Sequence, residues 1–146
     1  MNNLKDLMGE DFAKENEGKN LVIYFYPKDN TKGCTTEAID FSENKKEFEK
    51  LNTKIYGISK DSQKSHDKFI KDHDLKIDLL TDEELELIKA FDVWKKKKMY
   101  GKEYMGVERS TFIFNKDGVL IKEYRKVKVK DHVKNVLEFV KEELND

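Results

Sequence analysis

The chain has 146 residues, a single-domain length at which roughly 70% of the unfolded surface can be buried, so a full core needs no covalent staples. Charged side chains make up 40% of it, against a usual share of about 25%, yet 29 basic and 30 acidic residues leave a formal net charge of −1. That balance argues against a general attraction to nucleic acid or anionic lipid, and a single cysteine excludes an internal disulfide. No stretch approaches the roughly 18 apolar residues of a membrane span, and MNNLKDLMGEDF has no basic and apolar leader pattern. With a lone unpaired thiol, which suits a reducing compartment, the cytoplasm is the expected location.

In chain order, Leu4, Leu7, Met8 and Phe12 stand at near-helical spacing and predict a short helix, followed by a polar turn at Glu15–Lys19. Leu21–Tyr26 is continuously apolar or aromatic and is stopped by the only proline, Pro27, as suits a strand buried on both faces. Lys28–Gly33 turns the chain. From Cys34 to about Leu51 a helix is expected, with Ala38, Phe41, Phe48 and Leu51 on one side. Thr53–Ser59 is β-branched and aromatic, a second strand. Asp61 or Ser62 can cap a helix that carries His66, Phe69, Ile70 and His73 along one face. Ile77–Leu80 is a short strand. Thr81 and Asp82 with Glu83 and Glu84 open a helix that turns Leu85, Ile88 and Phe91 inward. Thr111–Asn115 and Val119–Tyr124 are strands joined at Lys116-Asp117-Gly118, a hairpin signal, and Val133, Val136, Leu137 and Val140 mark a closing amphipathic helix. The order predicts one α/β domain over residues 1–146, with a central mixed sheet, parallel early and antiparallel at the end, flanked by helices.

Cys34 draws the chemistry. A first-turn position lets unpaired backbone N–H groups and the helix dipole stabilise a thiolate. Most lone cysteines are small buried hydrophobes, but the polar neighbours Lys28–Gly33 and Thr35–Thr36 predict one outside the core. Glu37 shares an arc with Cys34, Ala38 and Phe41, so this carboxylate points toward the packed side and needs a partner, while Ile39 points roughly opposite and is expected to be exposed. Arg109, immediately before the strand at Ser110–Thr111, is the candidate: its planar donor fork could pair with Glu37 and face the Cys34 sulfur, or form an ordinary surface ion pair.

The run Tyr26-Pro27-Lys28-Asp29-Asn30-Thr31-Lys32-Gly33-Cys34-Thr35-Thr36-Glu37-Ala38 resembles the Pro-x-x-x-Thr-x-x-Cys signature of peroxiredoxins, in the form of the bacterioferritin comigratory protein (PrxQ-like) branch. A second block, WKKKKMYGKEYMGVERSTF from Trp94 to Phe112, resembles the same branch around its arginine, and weaker similarity runs from about Gly18 onward. The resemblance implies a thioredoxin-like fold and a thiol peroxidase that reduces hydrogen peroxide and organic hydroperoxides, with no cofactor and no metal. It implies Cys34 as the nucleophile, Thr31 as a hydrogen-bonding partner of sulfur and peroxide, Pro27 as a shield against water, Arg109 as the holder of thiolate and peroxide oxygens, and Glu37 as the residue that orients Arg109.

Two features depart from that pattern. Many members of the branch carry a resolving cysteine five residues after the first; here that position is Ile39, so a sulfenic acid at Cys34 would await an external thiol from thioredoxin, glutaredoxin or a small molecule. Without a nearby resolver it is open to sulfinic overoxidation. The segment before Gly18 lacks the usual Gly-Asp-x-Ala-Pro-x-Phe start, which makes residues 1–17 atypical. Either a monomer or a weak homodimer is compatible with the sequence. The rival function is a non-enzymatic redox sensor or binding protein with a slowly oxidised Cys34.

Other signals carry less. His66 and His73 read as packing or boundary residues, His132 as solvent-facing, and three scattered histidines offer no metal-ligand spacing. Lys95–Lys98 with Tyr100, Lys102 and Tyr104 interleave basic and aromatic residues as nucleic-acid binders do, but the near-zero net charge favours a solvated loop beside the site, with Trp94 at its rim. Binding to nucleic acid or to a membrane is not expected.

Overall fold

The computed structural model describes residues 3–144. Its elements, in order, are α1 (Leu4–Met8), α2 (Glu10–Glu15), β1 (Asn20–Phe25), α3 (Lys32–Glu43), α4 (Lys45–Lys50), β2 (Thr53–Ser59) and α5 (Gln63–His73). Then come β3 (Asp78–Thr81), α6 (Glu86–Ala90), β4 (Trp94–Met99), β5 (Lys102–Val107), β6 (Ser110–Phe114), β7 (Leu120–Tyr124) and α7 (His132–Glu143). Five strands form one sheet in the order β3-β2-β1-β6-β7, with β1, β2 and β3 parallel and β6 antiparallel to both neighbours. The mixed sheet flanked by helices is the one the sequence predicts.

The central strand explains the layering. Every residue of β1 is buried, and alternation sends Val22 and Tyr24 into a cluster with Phe41, Phe69, Val136 and Val140, while Leu21, Ile23 and Phe25 enter a second with Ile58, Ile88, Phe91 and Phe112. Helices α3, α4, α5 and α7 contribute to the first cluster, α1 and α6 to the second. The chain before β1 packs on the second cluster. Two short helices, broken at Gly9 where φ is 94°, lay Leu4, Leu7, Met8 and Phe12 against the second cluster. Within α1, Asn3 caps the helix by accepting the Asp6 N–H at 2.8 Å.

Several boundaries differ from the sequence expectation for identifiable reasons. The helix expected through Leu51 breaks at Asn44, whose side-chain amide donates to the Asp40 carbonyl at 2.8 Å and competes with the backbone ladder. The helix expected from Glu83 starts at Glu86, because Leu85 is left-handed (φ 63°) and Asp82 accepts the Ile88 N–H at 2.7 Å. The expected lysine-rich loop is a two-stranded hairpin of β4 and β5, closed at Tyr100-Gly101, where both residues have positive φ. His132 is buried rather than solvent-facing, at 2.8 Å from Thr111 Oγ1. Ile39 is half-buried and packs on the first cluster instead of standing exposed.

Phe41 is fully buried, stacks on Tyr24 with ring centroids 4.6 Å apart and meets His132 edge-on. Phe41→Ala is therefore expected to cost about 3–5 kcal/mol, read as a lower urea midpoint with an unchanged slope.

Candidate active site

Strand pairing assembles the site from two distant parts of the chain. Antiparallel pairing sets Phe25 opposite Ser110, which brings Arg109 to the carboxyl end of β1, the side on which α/β sheets bind ligands. From that end the chain passes buried Tyr26 and half-buried Pro27, which cannot continue the ladder, and enters the 28–31 turn with Asn30 left-handed (φ 59°). Thr31 takes the N-cap position of α3, and its carbonyl accepts the Thr35 N–H at 2.8 Å. Cys34 follows in the first helical turn.

Arg109 bridges two groups. Nη1 donates to Glu37 Oε1 at 2.7 Å and Nη2 to Cys34 Sγ at 3.3 Å, joining residues 75 positions apart. The fork is half-buried, and its backbone is fixed by the Val127 N–H, which donates to the Arg109 carbonyl at 2.9 Å. Gly33 makes room for it: a Cβ there would lie 3.1 Å from Arg109 Nη2. The structure thus brings together Cys34, Glu37 and Arg109. Thr31 stands beside them, but its exposed hydroxyl donates to the Lys28 carbonyl at 2.8 Å and makes no hydrogen bond to the sulfur.

The prediction of a cysteine outside the core is corrected. Cys34 is 1% exposed and joins the first core cluster, since the polar sequence around it decorates the helix flanks while Ala38 and Phe41 draw its own face inward. The sulfur is buried on the apolar side and met by a cation on the other.

Burial decides the ionisation of the groups around it. Glu37 is fully buried, and desolvation pushes its carboxyl up to about 7 against the pull of Arg109, with Oε2 lacking a hydrogen-bond partner. His132 moves the other way, down to about 4, because burial and then the Arg109 charge disfavour imidazolium. Half-buried Lys97 on β4 is lowered by desolvation and then by Arg109, while the Cys34 charge opposes the shift. Sequence reading missed Lys97 because it sits inside a run of four lysines; only strand alternation separates it from its exposed neighbours Lys96 and Lys98. No cluster with metal-ligand geometry occurs among the described residues.

Fold and site together define a peroxiredoxin, a thiol peroxidase class built on the thioredoxin-like fold. The chain belongs to the AhpC/TSA family, whose pattern matches residues 3–123. It is 57% identical over 126 residues to peroxiredoxin Bcp of Bacillus subtilis, covering 86% of this chain and 80% of that one. Peroxiredoxin Bcp of Xanthomonas campestris is 50% identical over 121 residues, covering 83% and 76%. Among solved structures, Xanthomonas campestris peroxiredoxin Q superposes with a TM-score of 0.85 at 46% identity, over 90% of this chain and 83% of that one.

The opposite shifts of Glu37 and His132 predict offsetting pH effects on stability. Glu37, raised above its ordinary value of about 4.3, contributes stability at low pH that is lost as pH rises through about 7. His132, lowered from about 6.5, contributes stability at higher pH that is lost as pH falls toward 4. Relative to the parent protein, Glu37→Gln should make stability rise with pH between 4.5 and 7, and His132→Gln should make it fall. Each change is at most about 3 kcal/mol and is read from urea midpoints across that range. Gly33→Ala, which presses a methyl on Nη2, is expected to slow Cys34 oxidation by peroxide several-fold while leaving the urea midpoint nearly unchanged.

Proposed function

We propose that the chain acts as one thioredoxin-like domain that reduces hydrogen peroxide and organic hydroperoxides by a one-cysteine mechanism. The observation that carries this reading is Arg109 donating at once to Glu37 and to the Cys34 sulfur at a helix N-terminus. A trapped intermediate and ligand complex of the Xanthomonas campestris bacterioferritin comigratory protein, whose title concerns alkyl peroxide reduction, matches with a TM-score of 0.84 at 46% identity, over 88% of this chain and 82% of that one, which supports an organic hydroperoxide as one substrate class.

In this mechanism the Cys34 thiolate attacks one peroxide oxygen. The S–O bond forms as the O–O bond breaks, and the leaving oxygen takes the electron pair and a proton to depart as water or an alcohol. Arg109 sits where charge develops on both oxygens. Thr31, with its hydroxyl proton directed to the Lys28 carbonyl, offers lone pairs to the peroxide O–H, and Pro27 limits water at the end of β1. Glu37 holds the guanidinium in place. The resulting sulfenic acid is attacked by an external thiol, releasing water and leaving a mixed disulfide, and a second thiol frees Cys34. Thioredoxin, glutaredoxin or a small thiol can serve, and all are consistent with a cytoplasmic protein acting as a monomer or weak homodimer. No helix among the described residues is long and apolar enough to cross a membrane.

Magnitudes identify the dominant effect. For any thiol, lowering the pKa from about 8.5 to about 6 raises the thiolate fraction at pH 7 about thirtyfold, but a Brønsted slope near 0.45 takes back about tenfold. A few-fold benefit does not make a peroxidase, whereas one preorganised donor to the developing charge contributes roughly 3–4 kcal/mol. Arg109→Met is therefore expected to slow oxidation of Cys34 by hydrogen peroxide by about 10²–10³, far more than it slows alkylation by iodoacetamide, which needs only the thiolate. Equal losses in the two rates would contradict this. In the parent protein, followed by Trp94 fluorescence, peroxide oxidation should exceed alkylation by orders of magnitude. Comparable slow rates would replace the peroxidase with the redox sensor.

A further inference from the structure

A second buried ionic centre lies beneath the turn that leads to Cys34, and the mechanism above does not use it. His66 on α5 is fully buried, with Nδ1 2.7 Å from Asp29 Oδ2 and Nε2 3.0 Å from the Leu80 carbonyl. Asp29 in the turn also accepts the Tyr26 hydroxyl on Oδ1 at 2.6 Å and the Ser65 hydroxyl on Oδ2 at 2.8 Å, while its own N–H donates to Asp61 Oδ2 at 2.8 Å. Donor accounting assigns the protonation state. A carbonyl only accepts, so Nε2 carries a proton; Asp29, already accepting from two hydroxyls, acts as an ionised carboxylate, so Nδ1 donates as well. Burial opposes both charges, yet His66, Tyr26 and Ser65 hold the Asp29 carboxyl below its ordinary range and Asp29 holds the imidazole above its own.

We propose that the His66 imidazolium is a positioning residue of the peroxidase reaction, locking Asp29 so that the 28–31 turn presents Thr31 and the first turn of α3 to the incoming hydroperoxide. The proposal rests on the peroxidase reading and adds a residue that never touches substrate. The lock spans the turn, since His73 Nε2, at the far end of α5, lies 2.9 Å from Asn30 Oδ1. The groups facing His66 are Asp29 from the turn, Tyr26 from the end of β1, Asp61 and Ser65 from the start of α5 and its lead-in, and the Leu80 carbonyl from β3. Loss of either ring proton breaks one arm of the lock: without the Nε2 proton the Leu80 carbonyl faces a lone pair and the imidazole loses its anchor on β3, and without the Nδ1 proton the buried Asp29 carboxylate faces one.

The test is the ratio of the peroxide oxidation rate to the iodoacetamide alkylation rate of Cys34, measured on the full chain from pH 6 to 10. Thiolate fraction enters both rates and cancels. The ratio is expected to fall at least tenfold as pH rises and His66 gives up its proton. In His66→Gln it should lie at least tenfold below the parent at pH 7 and stay flat with pH, while alkylation is little changed. A flat ratio in the parent, a fall that persists in His66→Gln and so belongs to another group such as Lys97, or a variant ratio equal to the parent's would each overturn the proposal. Where His66→Gln fails to fold, the parent still decides without a substitution: the fall must coincide with the titration of the His66 imidazole followed by NMR, and a fall at a different pH overturns the proposal. Failure of the peroxidase reading has its own signature, a parent ratio near one at every pH.

Discussion

The structure depends on a guanidinium that donates to two buried groups at once. Arg109 lies between a buried carboxylate at 2.7 Å and a buried sulfur at 3.3 Å, and it is the cation that hydrogen-bonds both. A lone buried carboxylate costs several kcal/mol, and a thiolate among Ala38, Phe41 and Tyr24 would be disfavoured in the same way. The fork geometry matters as much as the charge. A lysine at this position could neutralise one neighbour but could not hold two donors at fixed angles.

The scaffold keeps that arrangement rigid by making it part of the sheet. Arg109 sits one residue before a strand paired along its length with β1, and Cys34 sits in the turn-helix that leaves the end of β1. Any slip of one residue in that register would send Phe112 and Phe114 to the wrong cluster, so the hydrophobic alternation of the sheet also fixes the distance from guanidinium to sulfur. Burial then sets the protonation of the surroundings in opposite senses, leaving a carboxyl poised near neutrality and an imidazole kept neutral on either side of a permanent cation.

Much of this is legible in the sequence because the signals are local. The six-residue apolar run of β1, the proline after it, the cysteine at a helix start and the Lys116-Asp117-Gly118 hairpin each state their own geometry. The pairing of Glu37 with Arg109 is readable because a carboxylate on a packing face demands a cation. The failures are cases where tertiary context overrides local pattern. In β4 the same residue type, lysine, occupies both the half-buried and the exposed positions from Lys95 to Lys98, so the sequence shows no alternation and Lys97 disappears inside the run. His132 looks like a surface residue at a helix start until β6 and β7 close over it, with Thr111 on one side and Tyr124 on the other. The burial of Cys34 was obscured by its flanks, since Thr31 and Thr36 are exposed while the sulfur between them is not.

The separation of 75 residues between the thiol and its cation has a consequence for the order in which the protein becomes reactive. At a synthesis rate of about 5–20 residues per second, Cys34 leaves the ribosome roughly 4–15 s before Arg109 does. Through that interval the nascent thiol has no guanidinium beside it and β1 lacks its antiparallel neighbour. On the proposed mechanism, oxidant sensitivity therefore arrives with the completed sheet, and an emerging or misfolded chain carries an ordinary thiol that peroxide attacks slowly. Reactivity is in this sense a property of the finished topology, acquired when the last third of the chain docks.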